Sequence, residues 1–367
     1  FFHRIRDYQS LQPVYLSTLS TCLPCLPVYL VYLSTLSTCL PCLPASAWYN
    51  RLMPWNIVGH RPIVERLRRD LAHGRLHHAY LITGPPGVGR RTLALTLAQA
   101  ANCAEQDAPA GLFAADKVEP PCGACRPCRL IAAGSHPDVV TLLPKEDVSL
   151  IDQVRALQKM FALAPVEGRY KIALLPGFDR VNPSAGVAAQ NALLKTLEEP
   201  PARVKLILTA DAPDTLLPTV RSRCEILELR LLPVPLVREA LQTRWNVAPE
   251  RADLLAHLSG GRLGWAVRVL NDERALERRA TRLAELRQML AASRVGRFAY
   301  VETLTKSKDE TLIPEALDVW LGYWRDVLLA ATGAESALTN VDCADEIRAL
   351  ADTVGPRAAQ RVVRAVR

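Results

Sequence analysis

A glycine-rich loop is the first segment of the sequence whose residue types could bind phosphate. Phosphate-binding loops follow the pattern G-x-x-x-x-G-K-[ST], in which backbone N–H groups hold the phosphates, the lysine neutralises them and the hydroxyl binds magnesium. Gly84, Gly87 and Gly89 supply the glycines of such a loop, with the outer two at the required spacing. The sequence therefore predicts a nucleotide-type loop at this position.

The residues that follow the glycines depart from this chemistry. Arg90 stands at the lysine position, Arg91 stands at the hydroxyl position, and Thr92 comes one residue late. Arginine keeps the charge, but its longer, forked head is not a conservative replacement for lysine in a tight loop. An ATPase with an unusual loop and a chance glycine turn both stay open. The pattern favours a third interpretation, a degenerate loop that binds nucleotide weakly or not at all.

A second catalytic element is also displaced. An ATPase needs an Asp for magnesium, and usually a Glu to activate water, directly after a buried strand. The apolar run 171–175 is followed by Pro176 and Gly177, and Asp179 lies further on. Because two independent elements depart together, we expect no intrinsic ATPase activity.

Four cysteines have the spacing of a metal site. Cys122, Cys125 and Cys128 form a C-x2-C-x2-C turn, and Cys103 precedes them by 19 residues. Four thiolates would form a closed, structural Zn²⁺ site without an open position for catalysis. An iron–sulfur cluster and unliganded cysteines remain as alternatives.

Alternating strands and helices position these residues. The loop follows a predicted strand at 79–83 and precedes a predicted helix at 91–101, and a further helix is predicted at 62–76. Buried parallel strands are predicted at 139–143, 171–175 and 205–209, with helices at 150–162 and 184–199. This alternation indicates an α/β fold with a parallel sheet covered on both faces.

The strand pattern fades beyond about residue 230. Helices are predicted at 236–244, 249–258, 262–271, 274–292 and 314–331. The last helix carries an apolar stripe that predicts a helix-bundle core: Leu317, Trp320, Leu321, Trp324 and Leu328.

The composition is that of a folded globular protein, and the net positive charge is compatible with a role close to nucleic acid. Hydrophobic residues make up 49% and charged residues 22%, the formal charge is +8 and the pI is about 9.0. The ten cysteines are unevenly spaced along 367 residues. This argues against a disulfide framework and predicts a cytoplasmic protein, with Cys224 and Cys343 as core or incidental residues.

The first 52 residues do not resemble the rest. The segment VYLSTLSTCLPCLP occurs at residues 14–27 and again, unchanged, at 31–44. A translated upstream DNA repeat with a start near Met53 is the favoured interpretation. A signal peptide and a membrane helix fit less well, because prolines break every apolar run before about 18 residues.

Four stretches carry a resemblance to a known family. They are the loop 84–89 with its following cysteines, GSHPD at 134–138, NALLKTLEEPP at 191–201 and LPTVRSRC at 217–224. Over residues 53–350 the chain resembles the AAA+ clamp-loader family of bacterial DNA polymerase III. The resemblance implies an AAA+ domain at 53–231 with the zinc cysteines, a helical lid at 232–272 and a helical collar at 273–367.

The resemblance also implies a non-catalytic role in DNA replication. In that family the arginine of the Ser-Arg-Cys motif, here Arg223, reaches the ATP of a neighbouring subunit. Thr209 matches a γ-phosphate sensor position, and Gly264 stands where active members carry a sensor arginine. The implied partners are gamma/tau and delta subunits in a ring of five, the sliding clamp and primed DNA, with no membrane.

Other interpretations stay open at this point. The nearest is an active, gamma/tau-like ATPase of the same family. An ATPase acting on nucleic acid, or a zinc-bearing DNA-binding module, would belong to other classes. A surface arginine in an ion pair is the less favoured alternative for Arg223. The family's collar normally continues further than the helix-like run 356–367, and a truncated or frameshifted C-terminus would weaken ring assembly.

Overall fold

The computed structural model describes residues 55–106, 119–142, 150–179, 183–272, 274–306 and 312–366. All of them belong to a unit spanning Ser46–Arg367. The expectations for residues 1–52 lie outside the described part. Within that part, no helix is both long enough and apolar enough to cross a membrane.

A five-stranded sheet forms the framework for the loop. Its strands are β1 (Ala79–Thr83), β2 (Val139–Thr141), β3 (Lys171–Leu175), β4 (Val204–Ala210) and β5 (Glu225–Glu228). Their order is β2-β3-β4-β1-β5, and every neighbouring pair is parallel. The predicted α/β architecture with a parallel sheet is therefore confirmed. The carboxyl ends of the central strands β1 and β4 lie side by side, with Thr83 opposite Ala210.

Helices cover both faces of the sheet. One face packs on α1 (Arg61–Ala72), α2 (Arg90–Ala101) and α3 (Arg126–Ala132). The other packs on α4 (Leu150–Phe161), α5 (Pro183–Glu198) and α6 (Pro218–Arg221). Alternation along the inner strands β1, β3 and β4 supplies both cores.

Neighbouring residues of β1 illustrate this alternation. Tyr80 and Ile82 belong to the first core, whereas Ala79 and Leu81 belong to the second. The strand is buried along its whole length, as expected for a strand inside a parallel sheet.

Three short helices follow the sheet and share their own core. They are α7 (Val234–Trp245), α8 (Pro249–Leu258) and α9 (Leu263–Leu270). Prolines begin α7 and α8, where a missing N–H costs no hydrogen bond. Val237, Leu241, Leu255 and Ala266 lie at the centre of this core.

The remaining described helices are α10 (Ala275–Ala291), α11 (Arg294–Lys306), α12 (Leu312–Ala331) and α13 (Ala344–Val366). α13 is kinked at Gly355, whose φ is 73°, directly before Pro356. A fourth core lies between α10, α12 and α13.

The stripe predicted on α12 is only partly right. Trp324 is buried, and Trp320 and Leu328 pack against the same core, but Leu317 is 39% exposed. Ala316, Tyr323 and Val327 are buried instead. The buried face is therefore rotated relative to the predicted stripe.

Candidate functional site

The glycine loop has a backbone that only glycines adopt easily. Gly84, Gly87 and Gly89 have φ values of 140°, 87° and 107°, in the region that L side chains avoid. A Cβ on Gly84 would also lie 2.3 Å from the carbonyl oxygen of Leu229. The loop connects β1 to α2, which is the predicted strand–loop–helix arrangement.

Arg90, at the lysine position of the loop, is paired within the chain. Its Nη2 lies 2.6 Å from Oδ1 of Asp211, the residue that follows β4. The Arg90 side chain is only 11% exposed, and its buried Nη1 has no hydrogen-bond partner. Arg91 and Thr92 are exposed at the start of α2. A carboxylate thus already neutralises the charge that would otherwise meet a phosphate.

The other polar groups at this edge of the sheet stabilise turns. Oδ2 of Asp179 accepts the Asp211 N–H at 2.7 Å and the Thr215 hydroxyl at 3.2 Å. The hydroxyl oxygen of the buried Thr209 accepts the Gly177 N–H at 2.9 Å. Asp179, the acidic residue that follows β3, therefore uses one of its carboxylate oxygens to fix the segment after β4.

The first turn of α9 contacts the glycine loop directly. The Gly264 N–H donates to the Gly87 carbonyl at 2.7 Å. A Cβ on Gly264 would lie 2.9 Å from the same oxygen. Glycine at position 264 therefore permits a close backbone contact between α9 and the loop.

A cavity of about 410 Å³ adjoins this contact. It lies between the segment before α1, the loop with the start of α2, and helices α7 and α9. Arg244 spans its rim, because its Nη1 donates to the Asn56 carbonyl at 3.0 Å and to the Asn56 side-chain oxygen at 2.8 Å. Thr92 and Gly89 line it on the loop side.

Arg223 lies two residues beyond the short helix α6 at a different surface. Its Nη2 is 2.7 Å from Oε1 of Glu198, and its Nη1 donates to the Thr219 carbonyl at 2.9 Å. Its side chain remains 35% exposed. An open cleft of about 440 Å³ surrounds it. The cleft is lined by Arg66, His77, His78, Ser222, Arg223, Cys224 and Glu225.

The four predicted cysteine ligands converge. The sulfur atoms of Cys103, Cys122, Cys125 and Cys128 all lie within 4.8 Å of one another, and those of Cys103 and Cys125 are 3.9 Å apart. Tetrahedral zinc with Zn–S bonds of about 2.3 Å requires sulfurs roughly 3.8 Å apart. The four cysteines could therefore hold a metal ion.

Local hydrogen bonds prepare these sulfurs for a ligand role. The Cys122 N–H lies 3.4 Å from the Cys103 sulfur, and the Cys125 N–H lies 3.3 Å from the Cys122 sulfur. The Cys128 thiol stabilises the Cys103 thiolate, which lowers the pKa of Cys103 and raises that of Cys128. Metal binding requires thiolates, and the two backbone N–H contacts would stabilise that form of Cys103 and Cys122.

The isolated cysteines lie elsewhere, as predicted. Cys224 is half-buried, and burial raises its pKa to about 12. Cys343 is also half-buried, with its sulfur 3.6 Å from Nη2 of Arg287. Neither belongs to the cysteine cluster.

Sequence reasoning missed two residues that define these sites. Asp211 directly follows β4, and the carboxyl ends of adjacent parallel strands meet at one edge of a sheet. That placement could have suggested Asp211 as a partner for Arg90. Glu198 lies in the motif at 191–201, but that motif predicts no role for it, and no spacing rule connects it to Arg223.

The chain is similar to known subunits of bacterial DNA polymerase III. A family profile described as "DNA polymerase III, delta subunit" matches residues 59–233. The DNA polymerase III subunit delta' of Bacillus subtilis is 30% identical over 291 residues, which cover 78% of this chain and 82% of that protein. The subunit delta' of Pseudomonas aeruginosa is 38% identical over 190 residues, covering 50% of this chain and 53% of that protein.

A differently named subunit is similar over a shorter part of the chain. The DNA polymerase III subunit tau of Escherichia coli is 34% identical over 213 residues, covering 57% of this chain and 31% of that protein. The delta' similarity from Bacillus subtilis extends over most of both chains. The chain therefore belongs to the delta' family of bacterial DNA polymerase III subunits.

Proposed function

We propose that this chain is the non-catalytic delta' subunit, or stator, of the DNA polymerase III clamp loader. In this role it presents Arg223 to ATP bound by a neighbouring gamma/tau subunit while the sliding clamp is loaded on primed DNA. The observation that carries the proposal is the ion pair between Arg90 and Asp211 at the glycine loop. This pair supports a loop that does not neutralise a phosphate of its own.

The surroundings of the loop support the absence of intrinsic ATP turnover. Hydrolysis requires a magnesium ion held by a hydroxyl and an acidic residue, and a group that orients the attacking water. Arg91 occupies the hydroxyl position, and Asp179 uses one oxygen for backbone and hydroxyl contacts. ATP binding by this chain is therefore weak or absent in the proposed mechanism.

Arg223 supplies charge in trans. A guanidinium that approaches the γ-phosphate of a neighbouring subunit stabilises the charge of the transition state without a nucleotide in its own subunit. The partial exposure of Arg223 and the cleft around it support access by another chain. ATP binding in the neighbour closes the ring, and hydrolysis releases the clamp on DNA.

The three proposed parts of the chain have different tasks. Residues 53–231 form the AAA+ domain, 232–272 the lid and 273–367 the collar, and separate hydrophobic cores support this division. The backbone hydrogen bond between Gly264 and Gly87 joins the lid to the loop. A lid fixed in this way suits a subunit against which the others move.

Zinc has a structural role in this proposal. Bound Zn²⁺ would cross-link the end of α2 to the start of α3, because Cys103 follows the first helix and Cys128 belongs to the second. The Gln99 side chain already donates to the Cys128 carbonyl at 2.9 Å. Four sulfur ligands leave no open position for catalysis.

The proposed partners are the gamma/tau and delta subunits in a ring of five, the sliding clamp and primed DNA. ATP turnover tests the assignment in two samples, the isolated chain and the clamp loader reconstituted with it. We expect an inactive isolated chain and an active complex that requires it. Turnover by the isolated chain with magnesium and ATP would instead support the gamma/tau-like ATPase.

A further inference from the structure

The chain itself fixes the guanidinium of Arg223 at two points. Glu198 Oε1 lies 2.7 Å from Nη2, and the Thr219 carbonyl accepts from Nη1 at 2.9 Å. The two contacts come from different elements, because Glu198 ends α5 and Thr219 lies within α6. The head group therefore has a defined orientation before any partner arrives.

Helix α5 also fixes the other end of the segment that carries Arg223. The Gln190 side-chain oxygen accepts the Leu217 N–H at 2.7 Å. Between the two contacts, Val220 is fully buried in the core that contains α5. Helix α5 thus holds the segment 217–223 at both ends, because Gln190 contacts Leu217 and Glu198 contacts Arg223.

A guanidinium fixed in this way can still bind an anion. It carries five N–H donors in a planar fork, and the two contacts with Glu198 and Thr219 leave further donors for a phosphate. Ordering a long arginine side chain costs conformational entropy, so a finger oriented in advance loses less of it when the partner binds.

We propose that Glu198 is a positioning residue for Arg223: it orients the guanidinium for the phosphate of ATP in the adjacent subunit. The proposal rests on the proposed function, since Arg223 must act in trans. Glu198 belongs to the motif NALLKTLEEPP, and Arg223 belongs to the motif LPTVRSRC. The proposal therefore gives the first motif a role in orienting the arginine of the second. Glu198 itself does not touch the nucleotide.

The test is steady-state ATP turnover by the clamp loader reconstituted with Glu198→Ala, in the presence of clamp and primed DNA. We expect kcat to fall about 10-fold, because a misplaced catalytic group lowers the rate of the chemical step, while KM for ATP changes little. Glu198→Gln retains a hydrogen-bond acceptor and should lose less. Glu199→Ala, which removes the adjacent exposed carboxylate, is the matched control and should behave as wild type.

A double-mutant cycle separates positioning from a structural effect. In an Arg223→Ala background, Glu198→Ala should cause no additional loss, because residues that act as a unit are not additive. An additional loss of similar size would overturn the proposal, as would an unchanged or increased kcat in the single variant. If Glu198→Ala fails to enter the complex, Glu198→Gln gives the same comparison.

Different results would contradict the positioning role of Glu198 and the proposed function of the chain. If Arg223→Ala lowers turnover strongly and neither Glu198 variant does, the positioning role is wrong and the proposed function stands. If Arg223→Ala leaves turnover unchanged, the proposed function itself is wrong.

Discussion

The guanidinium of Arg90 lies 2.6 Å from the carboxylate of Asp211, across the edge where β1 and β4 end. Arg90 occupies the position at which a phosphate-binding loop carries its lysine. The cation that would bind a nucleotide phosphate is thus paired with an anion of the same chain. The loop retains its glycine conformations, but the positive charge of Arg90 is neutralised by Asp211 of the same chain.

Removing the carboxylate partner should destabilise the fold. Asp211→Ala would leave the mostly buried Arg90 without its counter-charge, which should lower the free energy of unfolding by about 1–2 kcal/mol. Urea denaturation measures the change. Asp214→Ala removes the exposed partner of Arg221 and is the control, with an expected loss below about 0.5 kcal/mol. Equal effects in the two variants would contradict a structural role for the Arg90 pair.

The contact between the lid and the loop should not accommodate a side chain at Gly264. A Cβ there would lie 2.9 Å from the Gly87 carbonyl oxygen. Gly264→Ala should therefore lower the urea midpoint by an amount equivalent to about 1 kcal/mol, despite the better helix propensity of alanine. Gly322→Ala is the matched control within α12, because Nδ2 of Asn340 would lie 3.9 Å from the added Cβ, an ordinary van der Waals contact. A midpoint that rises in both variants would exclude a tight contact at the loop.

Purified protein should contain one zinc ion per chain. Cys122→Ser should lose the metal and lower the thermal midpoint, because a structural zinc ion contributes binding free energy to the folded state. Elemental analysis gives both the identity and the amount of the metal. Cys224→Ser should retain full zinc content, since Cys224 lies outside the cluster. Iron in place of zinc, or no metal in the wild type, would contradict the zinc assignment.

Stability should fall as the pH decreases below about 6.5, partly because of His60. Burial lowers the pKa of His60 below its usual value of 6.5. As the pH decreases, the unfolded state binds the proton first, so the stabilising contribution is complete above the unfolded pKa and is lost as the pH falls through the lower pKa of the folded state. Urea midpoints at pH 7.5, 6.5 and 5.5 measure the effect. His60→Gln should reduce the slope, whereas an unchanged slope would show that His60 does not contribute.

Much of the fold could be predicted because the central strands and their helices have strong patterns. The run 79–83 became β1 with the predicted boundaries, and 171–175 became β3. Both are continuous apolar segments, or nearly so, as buried parallel strands require. The cysteine cluster was predictable for a similar reason, since ligand spacing limits which sulfurs can meet.

Elements with weak local patterns were missed. β5 has the short sequence Glu-Ile-Leu-Glu and lies at an edge of the sheet, where only one of its four residues is buried. α11 contains no buried residue, so no apolar face marked it. The helix predicted at 62–76 ends at Ala72, and Gly74 follows with a φ of 65°. That conformation favours glycine and ends the helix earlier than the apolar spacing suggested.

The sequence could not supply the ion pairs of the site residues. The pairing of Arg90 with Asp211 spans 121 positions, and the pairing of Arg223 with Glu198 depends on how α5 packs against α6. Tertiary packing brings these charges together. Although Glu198 and Arg223 both lie in motifs, only the structure shows that they are paired.

The central claim is that Arg223 acts on ATP bound by another subunit. ATP turnover by the reconstituted clamp loader, with clamp and primed DNA, tests it most directly when the wild-type chain is compared with Arg223→Ala. Arg221→Ala, which removes a nearby arginine paired with Asp214, is the control. The account predicts an inactive isolated chain and a loss of about 10³-fold in the Arg223→Ala complex, with the control close to wild type. Unchanged turnover in the Arg223→Ala complex would contradict it.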